Sequence, residues 1–198
     1  IPQYSEGQSL TSIWAVRSLG IDPTTGEELF LNRDGSITDK WDPAQEVVVG
    51  NTEPKLNGSI GLNATYKNWS LFAAFQYEFG GQEYNQTLVN RVENADIKGG
   101  NVDLRVLTDR WQKPGDITPL KNIANRNQTT QSTSRFVQDN NVLSLNALTL
   151  SYDFDTQLIK KIGLNVLRLE VSTNDLLRFS SIKQERGTSY PYAKTVNF

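Results

Sequence analysis

Residues 69–79, Trp69-Ser70-Leu71-Phe72-Ala73-Ala74-Phe75-Gln76-Tyr77-Glu78-Phe79, alternate with a period of two over their whole length. Trp69, Leu71, Ala73, Phe75, Tyr77 and Phe79 fall on one face, and Ser70, Phe72, Ala74, Gln76 and Glu78 on the other. That period is the mark of an extended strand, whose successive side chains point to opposite sides. At ~3.3 Å per residue the strand is about 36 Å long, whereas strands of soluble domains most often have about 5–6 residues. Tilted by roughly 45°, it would cover the ~25 Å apolar band of a membrane-spanning β-barrel.

The residues on either side extend the pattern. In Gly58 to Tyr66, Ile60, Leu62, Ala64 and Tyr66 share one face, while Ser59, Gly61, Asn63 and Thr65 make a small, polar opposite face. Only Lys67-Asn68 separates this segment from Trp69, which predicts a two-residue hairpin. Leu143 to Phe154 alternates in two phases, Leu143, Leu145 and Ala147, then Leu148, Leu150, Tyr152 and Phe154. The slip near Ala147-Leu148 predicts a β-bulge. Val166 to Asn174 sets Leu167, Leu169, Val171 and Thr173 against Arg168, Glu170, Ser172 and Asn174. Mid-strand charges of this kind suit a wet barrel lumen, or the solvated face of a soluble sheet. A last extended piece runs from Tyr192 to Phe198.

The connections between these strands are unequal. Those at 67–68 and 155–164 are short, and those at 17–57, 80–141 and 175–191 are long. Compact soluble domains seldom carry structureless loops beyond ~12–15 residues. Alternating long and short connections are instead the pattern of barrels with long extracellular loops and short periplasmic turns. Alternation alone suits a half-buried soluble sheet equally well, so a secreted β-sandwich that binds carbohydrate stands as the alternative. The two differ in whether the apolar face of residues 69–79 meets lipid or a second sheet.

Composition removes several functions. The chain has neither Cys nor His, and so lacks the usual ligands of zinc, haem and iron–sulfur clusters, Cys nucleophiles and the Ser–His–Asp arrangement. With 20 basic and 22 acidic residues scattered in both signs, there is no basic stripe of the kind that binds nucleic acid. No apolar run reaches the ~18–20 residues of a membrane helix. The low mean hydropathy is no bar to a barrel, whose strands alternate lipid-facing and lumen-facing residues. No enzyme, cofactor or metal site is therefore expected. The chain opens at Ile1 and contains no Met, so a fragment of a longer polypeptide is expected.

The motifs with chemical flavour have plain readings beside the functional ones. Asn32 to Thr38 spaces oxygen side chains around Gly35, but in calcium-loop register positions one and twelve are Phe30 and Trp41, so a turn at Asp34-Gly35 is expected. Glu27-Glu28 is expected in a solvated loop beside the turn at residues 22–26, and not as a hydrolytic carboxylate pair. The amide-rich stretches 82–90 and 122–140 read as surface loops, or as places where aromatics stack on sugar or peptide. Trp41, Tyr84 and Trp111 are the candidate substrate or lid contacts. Tyr66, Trp69, Tyr77 and Phe79 are the candidates for an aromatic girdle at the membrane interface.

A series of stretches, in order along the chain, resembles the C-terminal part of the SusC/RagA family of TonB-dependent outer-membrane receptors. They are Gly7-Gln8-Ser9-Leu10 with Ile13-Trp14, Gly20 to Gly26, Asp34-Gly35 with Ile37-Thr38, and Gly50 to Lys55. Then come Phe79-Gly80-Gly81-Gln82 with Tyr84-Asn85, Arg110-Trp111 with Pro114-Gly115-Asp116, and Ser134-Arg135-Phe136-Val137. Leu143-Ser144-Leu145, Leu150-Ser151-Tyr152, Asn174-Asp175-Leu176 and Tyr190-Pro191 complete the series. The resemblance implies an all-β fold, the C-terminal segment of a large antiparallel transmembrane β-barrel, with about five strands in residues 1–198. It also implies a multi-pass protein of the cell outer membrane that imports oligosaccharides or peptides by TonB-dependent transport. The expected partners are a SusD-like surface lipoprotein, the TonB complex through the absent N-terminal part, and the lipid bilayer.

Overall fold

The computed structural model describes residues 4–124, 129–182 and 196–197. The chain divides into two compact units, the first built chiefly of Ile1–Glu53 and Gln82–Asp139, the second chiefly of Pro54–Gly81 and Asn140–Lys183. The architecture is all-β and antiparallel, with a few short helical turns.

The second unit holds the long strands β6 (Leu56–Tyr66), β7 (Trp69–Tyr84), β8 (Val137–Asp153), β9 (Arg168–Ser180) and the short β10 (Val196–Asn197). They form one sheet in the order β10-β9-β8-β7-β6. The β6–β7 hairpin has the expected register, from Tyr66↔Trp69 at the turn to Leu56↔Phe79 at its open end. Lys67 turns the chain with φ 53, and its ammonium lies 5.4 Å from the Tyr66 ring centroid. The pairing brings Ile60 opposite Phe75, Leu62 opposite Ala73 and Ala64 opposite Leu71, so the apolar sets of both strands merge into one face. On the other face Ser59 meets Gln76, Gly61 meets Ala74 and Thr65 meets Ser70.

The apolar face continues across the sheet. Trp69 packs on Tyr152 of β8 at 4.8 Å between ring centroids, and Tyr152 in turn lies edge-on to Phe154 at 4.9 Å. Leu150 pairs with Val171 and Tyr152 with Leu169. Large side chains stand open to solvent here: Ile60 is 58% exposed, Leu62 50% and Phe179 63%. Among the described residues of this unit, no second sheet lies over them.

The phase slip read in β8 is visible in its contacts. Asn146 donates its side-chain amide to Gln76 Oε1 at 2.7 Å, on the polar face, while Tyr152 packs on Trp69, on the apolar face. These two residues of even number reach opposite faces, which strict alternation forbids. Against β9 the register shifts between Leu145↔Leu177 and Ala147↔Asn174, so Asn146 alone stands opposite Asp175 and Leu176. The extra residue lies in β9, where Asp175 takes the left-handed conformation with φ 50.

Several boundaries differ from the sequence reading, each for a local reason. β7 continues past Phe79 to Tyr84 because Gly80 absorbs a bend with φ 79 and gives its N–H to Asn141 Oδ1 at 2.8 Å. β9 runs to Ser180 across the Asp175 bulge, so residues 175–180 are strand and not the start of a loop. The connection at 155–164 is helical: Asp155 Oδ1 caps Gln157 N at 2.8 Å, a turn of helix follows at Thr156–Ile159, and Gly163 ends it with φ 79. Of the expected last strand, Val196–Asn197 pairs with Thr173 and Ser172; residues 183–195 and Phe198 lie outside the described residues.

The first unit shows that the long connections are not structureless. β1 (Ser12–Ala15) pairs with β5 (Val47–Asn51), and β2 (Arg17–Ile21), β3 (Glu28–Leu31) and β4 (Ile37–Thr38) form a second small sheet. Its turns follow from their residues. Asp22 accepts from Thr24 N at 2.8 Å and Thr25 Oγ1 at 3.0 Å, and Gly26, with φ 75, gives its N–H to the Asp22 carbonyl at 2.8 Å. Asp34 accepts from Ser36 N at 2.9 Å, Gly35 has φ 85, and Asn32 N donates to Ser36 O at 2.9 Å. The Asn32–Thr38 stretch is thus the β3–β4 turn. Residues 85–136 add short helical segments at Gln86–Leu88, Val89–Glu93 and Arg105–Thr108 around a small core of Val92, Val106 and Leu120.

Candidate functional site, a charged cleft beside Trp41

The first unit contains a cleft of about 390 Å³, counting its open mouth, lined by Glu27, Glu28, Phe30, Asp39, Trp41, Lys121 and the strip Thr129-Thr130-Gln131. β3 supplies one wall. Its alternation buries Glu28 and Phe30, with Glu28 only 6% exposed. Trp41 is held by its indole N–H, which donates to the Ser132 carbonyl at 3.0 Å.

Behind the wall lies a cluster of charges. Arg135 grips Glu28 with two parallel bonds, Nε to Oε1 at 3.1 Å and Nη2 to Oε2 at 2.8 Å. Nη2 also reaches Glu93 Oε1 at 2.8 Å, Nη1 donates to the Pro119 carbonyl, and the guanidinium lies 4.4 Å from the Phe136 ring centroid. Glu93 is buried; one of its oxygens takes the Arg135 bond and the other, Oε2, has no hydrogen-bond partner. Burial opposes the Arg135 charge, but the Glu28 bond and the fields of Glu93 and Glu28 outweigh it and hold the guanidinium pKa above its usual value. At Lys121 burial is the larger influence and pulls the ammonium below the usual lysine value, against the fields of Glu93 and Glu28. A buried bidentate pair of this kind contributes little net stability when intact but is costly to break.

The structure distributes the expected contact residues unequally. Trp41 lines the cleft. Tyr84, at the end of β7, donates its hydroxyl to the Gln131 carbonyl at 3.4 Å and lies edge-on to Phe136 at 6.2 Å. Trp111 is 8% exposed; its indole N–H donates to the Pro23 carbonyl at 2.9 Å, and a Cβ on Gly26 would meet its ring at 2.5 Å. Gly115 N also donates to Pro23 O at 2.8 Å, and Asn122 N to Gly26 O at 2.9 Å. Within the described contacts Trp111 ties the 20–26 turn to the 110–116 segment. The expected girdle residues Tyr66, Trp69, Tyr77 and Phe79 all fall on the apolar face of the long sheet, with Tyr77 and Phe79 stacked at 5.9 Å.

Sequence reading placed Glu28 in a solvated loop. It is buried in β3, and the signal was the Glu28/Phe30 alternation overlooked beside the turn. Arg110 carries no signal of its own in the sequence beyond its place beside Trp111. Its guanidinium is buried and donates to the carbonyls of Val106, Lys121, Val92 and Glu93 at 2.7–3.2 Å, fastening the helical segments together. Arg135, Glu93 and Lys121 come from separate stretches, and no spacing rule joins them.

The class defined by this geometry is an all-β protein with a long-stranded, two-faced antiparallel sheet and folded connections that hold a charged cleft. Comparison with known proteins is specific. The chain is 28% identical over 163 residues to TonB-dependent receptor P3 of Formosa agariphila, an alignment covering 82% of this chain and 15% of that protein. It is 25% identical over 164 residues to TonB-dependent receptor P39 of the same organism, covering 79% and 15%. Among solved structures, the RagAB peptide transporter superposes with a TM-score of 0.71 at 22% identity, over 86% of this chain and 19% of that one. The RagAB peptide importer in an open-open state gives 0.68 at 23% identity, over 89% and 19%. No family model matches. The chain thus spans about a sixth of the length of the curated relatives it matches. The chain is thus similar in sequence to a segment of TonB-dependent receptors and in fold to a segment of the RagAB structures.

Proposed function

We propose that this chain is part of the transmembrane β-barrel of an outer-membrane nutrient importer of the SusC/RagA type. The barrel is driven through TonB and works with a SusD-like surface lipoprotein as its lid. The observation that carries the reading is the open apolar face of β6 to β9, backed by a face that is mostly polar or small, with Phe72 opposite Asn63 as its large apolar member. Lipid on the first and a wet lumen on the second would satisfy both. The stretch at 17–55 and the connection at 85–136 would then be extracellular, with that after β9 beginning no earlier than residue 181, and the connections at 67–68 and 155–164 periplasmic. Tyr66 and Trp69 would lie in the periplasmic girdle, and Tyr77 and Phe79 nearer the outer one.

Cargo would be an oligosaccharide or a peptide, transported without covalent change. The soluble sandwich loses ground because its second sheet, required over the apolar face, is not found among the described residues of that unit. Producing the full-length receptor in its own cell envelope tests the reading. The expected result is recovery in the outer-membrane fraction with a co-purifying surface lipoprotein, and nutrient uptake abolished by collapsing the proton gradient. Recovery as a soluble secreted protein would overturn it.

A further inference from the structure

We infer that the cleft beside Trp41 is a subsite for an organic ammonium group on the transported molecule. This rests on the importer reading and deepens it by naming a chemical feature of the cargo. Three observations lead there independently of the fold.

The first is shape. The cleft has a fixed aromatic wall, because the indole N–H of Trp41 is committed to Ser132 and cannot turn to serve a ligand as donor. What remains for a ligand is the ring, and an aromatic ring attracts a cation within about 6 Å of its centroid. The second is charge. Glu27, Glu28 and Asp39 line the cleft and Glu93 lies behind it, four carboxylates facing the two cations Lys121 and Arg135. The third is how that charge is distributed. Arg135 is consumed by Glu28 and Glu93, and burial already weakens the hold of Lys121 on its proton. Glu27 and Asp39 at the rim are therefore the carboxylates left to meet a solvated cation.

The ammonium has two plausible carriers, the side chain of a basic peptide and an amino sugar. Isothermal titration of the purified full-length receptor separates them with the N-acetylated tripeptide amides of Gly-Lys-Gly and Gly-Gln-Gly and with the disaccharides of glucosamine and of N-acetylglucosamine. At low ionic strength the ammonium member of at least one pair should bind more tightly than its neutral partner, and salt should erase the preference. The double variant Glu27→Gln, Asp39→Asn keeps the shape and should weaken that binding by about five- to tenfold, with the neutral probe unchanged. Trp41→Phe, which retains a ring, should keep the preference better than Trp41→Ala. No preference in either pair, or a preference that survives the double variant, overturns the subsite. Outer-membrane insertion and gradient-driven uptake, followed in the same preparations, keep the two failures apart. A receptor that inserts and transports without the preference refutes the subsite alone.

Discussion

At the scale of single residues, the ordering of the first unit depends on a few atoms with no room to move. Gly26 combines φ 75 with a Cβ direction that ends inside the Trp111 ring. Gly26→Ala should destabilise this unit by about 2–4 kcal/mol, from the unfavourable backbone conformation and the clash together. Thermal unfolding of the purified receptor checks it, with loss of Trp111 fluorescence shielding as the local reporter. Arg135→Met strands Glu28 and Glu93 in the interior and should cost about 3–5 kcal/mol. Replacing Glu28 and Glu93 by Leu in the same molecule should recover most of that loss, which urea titration of the three variants would measure. Asp22 gives a pH dependence of definite sign. The Thr24 N–H, then the Thr25 hydroxyl, hold its carboxyl below the usual aspartate value. Its contribution is present above the unfolded pKa and is lost as pH falls through the lower, folded one. The protection of the Thr24 amide, with the intrinsic pH dependence of exchange divided out, should therefore fall on acidification, and Asp22→Asn should flatten that dependence.

At the scale of elements, the long strands were legible because burial was not needed to read them. Eleven alternating residues, a two-residue turn and a matching partner strand fix the β6–β7 register by themselves. The phase slip in β8 was legible for the same reason, but not its partner, since a bulge can sit in either strand of a pair and only the register, with Asn146 opposite both Asp175 and Leu176, places the extra residue in β9. Asp175→Gly should be neutral or slightly stabilising, because the left-handed conformation is free to glycine. Asp175→Ile should cost about 1–3 kcal/mol. Heat-modifiability on gels of the full-length receptor distinguishes the two. Gly80 misled in the opposite direction: glycine within a strand reads as an end, yet here it bends β7 and lets it continue. The short strands of the first unit were missed because two to five residues give no measurable period. The charged cleft was missed because Glu28, Glu93, Lys121 and Arg135 are far apart in sequence and meet only after β3 and the 85–136 segment have folded.

At the scale of the whole molecule, the two-faced sheet is the feature that separates a membrane barrel from a soluble domain. A soluble protein would gain about 25 cal/mol for each Å² of this apolar face it covered, a strong drive to bury it. Instead Ile60, Leu62 and their neighbours are open while the opposite face, Phe72 apart, is small or polar, the arrangement that lipid outside and water inside would select. The segment contains no Cys, so single cysteines report cleanly on each face. The most direct test places them in turn at Ile60, Leu62 and Phe75, and at Ser59, Asn63 and Gln76, in the full-length receptor in outer membranes with any other cysteines removed. The account predicts that a membrane-impermeant maleimide labels the second set and not the first, while a lipid-soluble quencher reaches only dyes on the first. Equal aqueous labelling of both sets, or protection of the polar set alone, would contradict it.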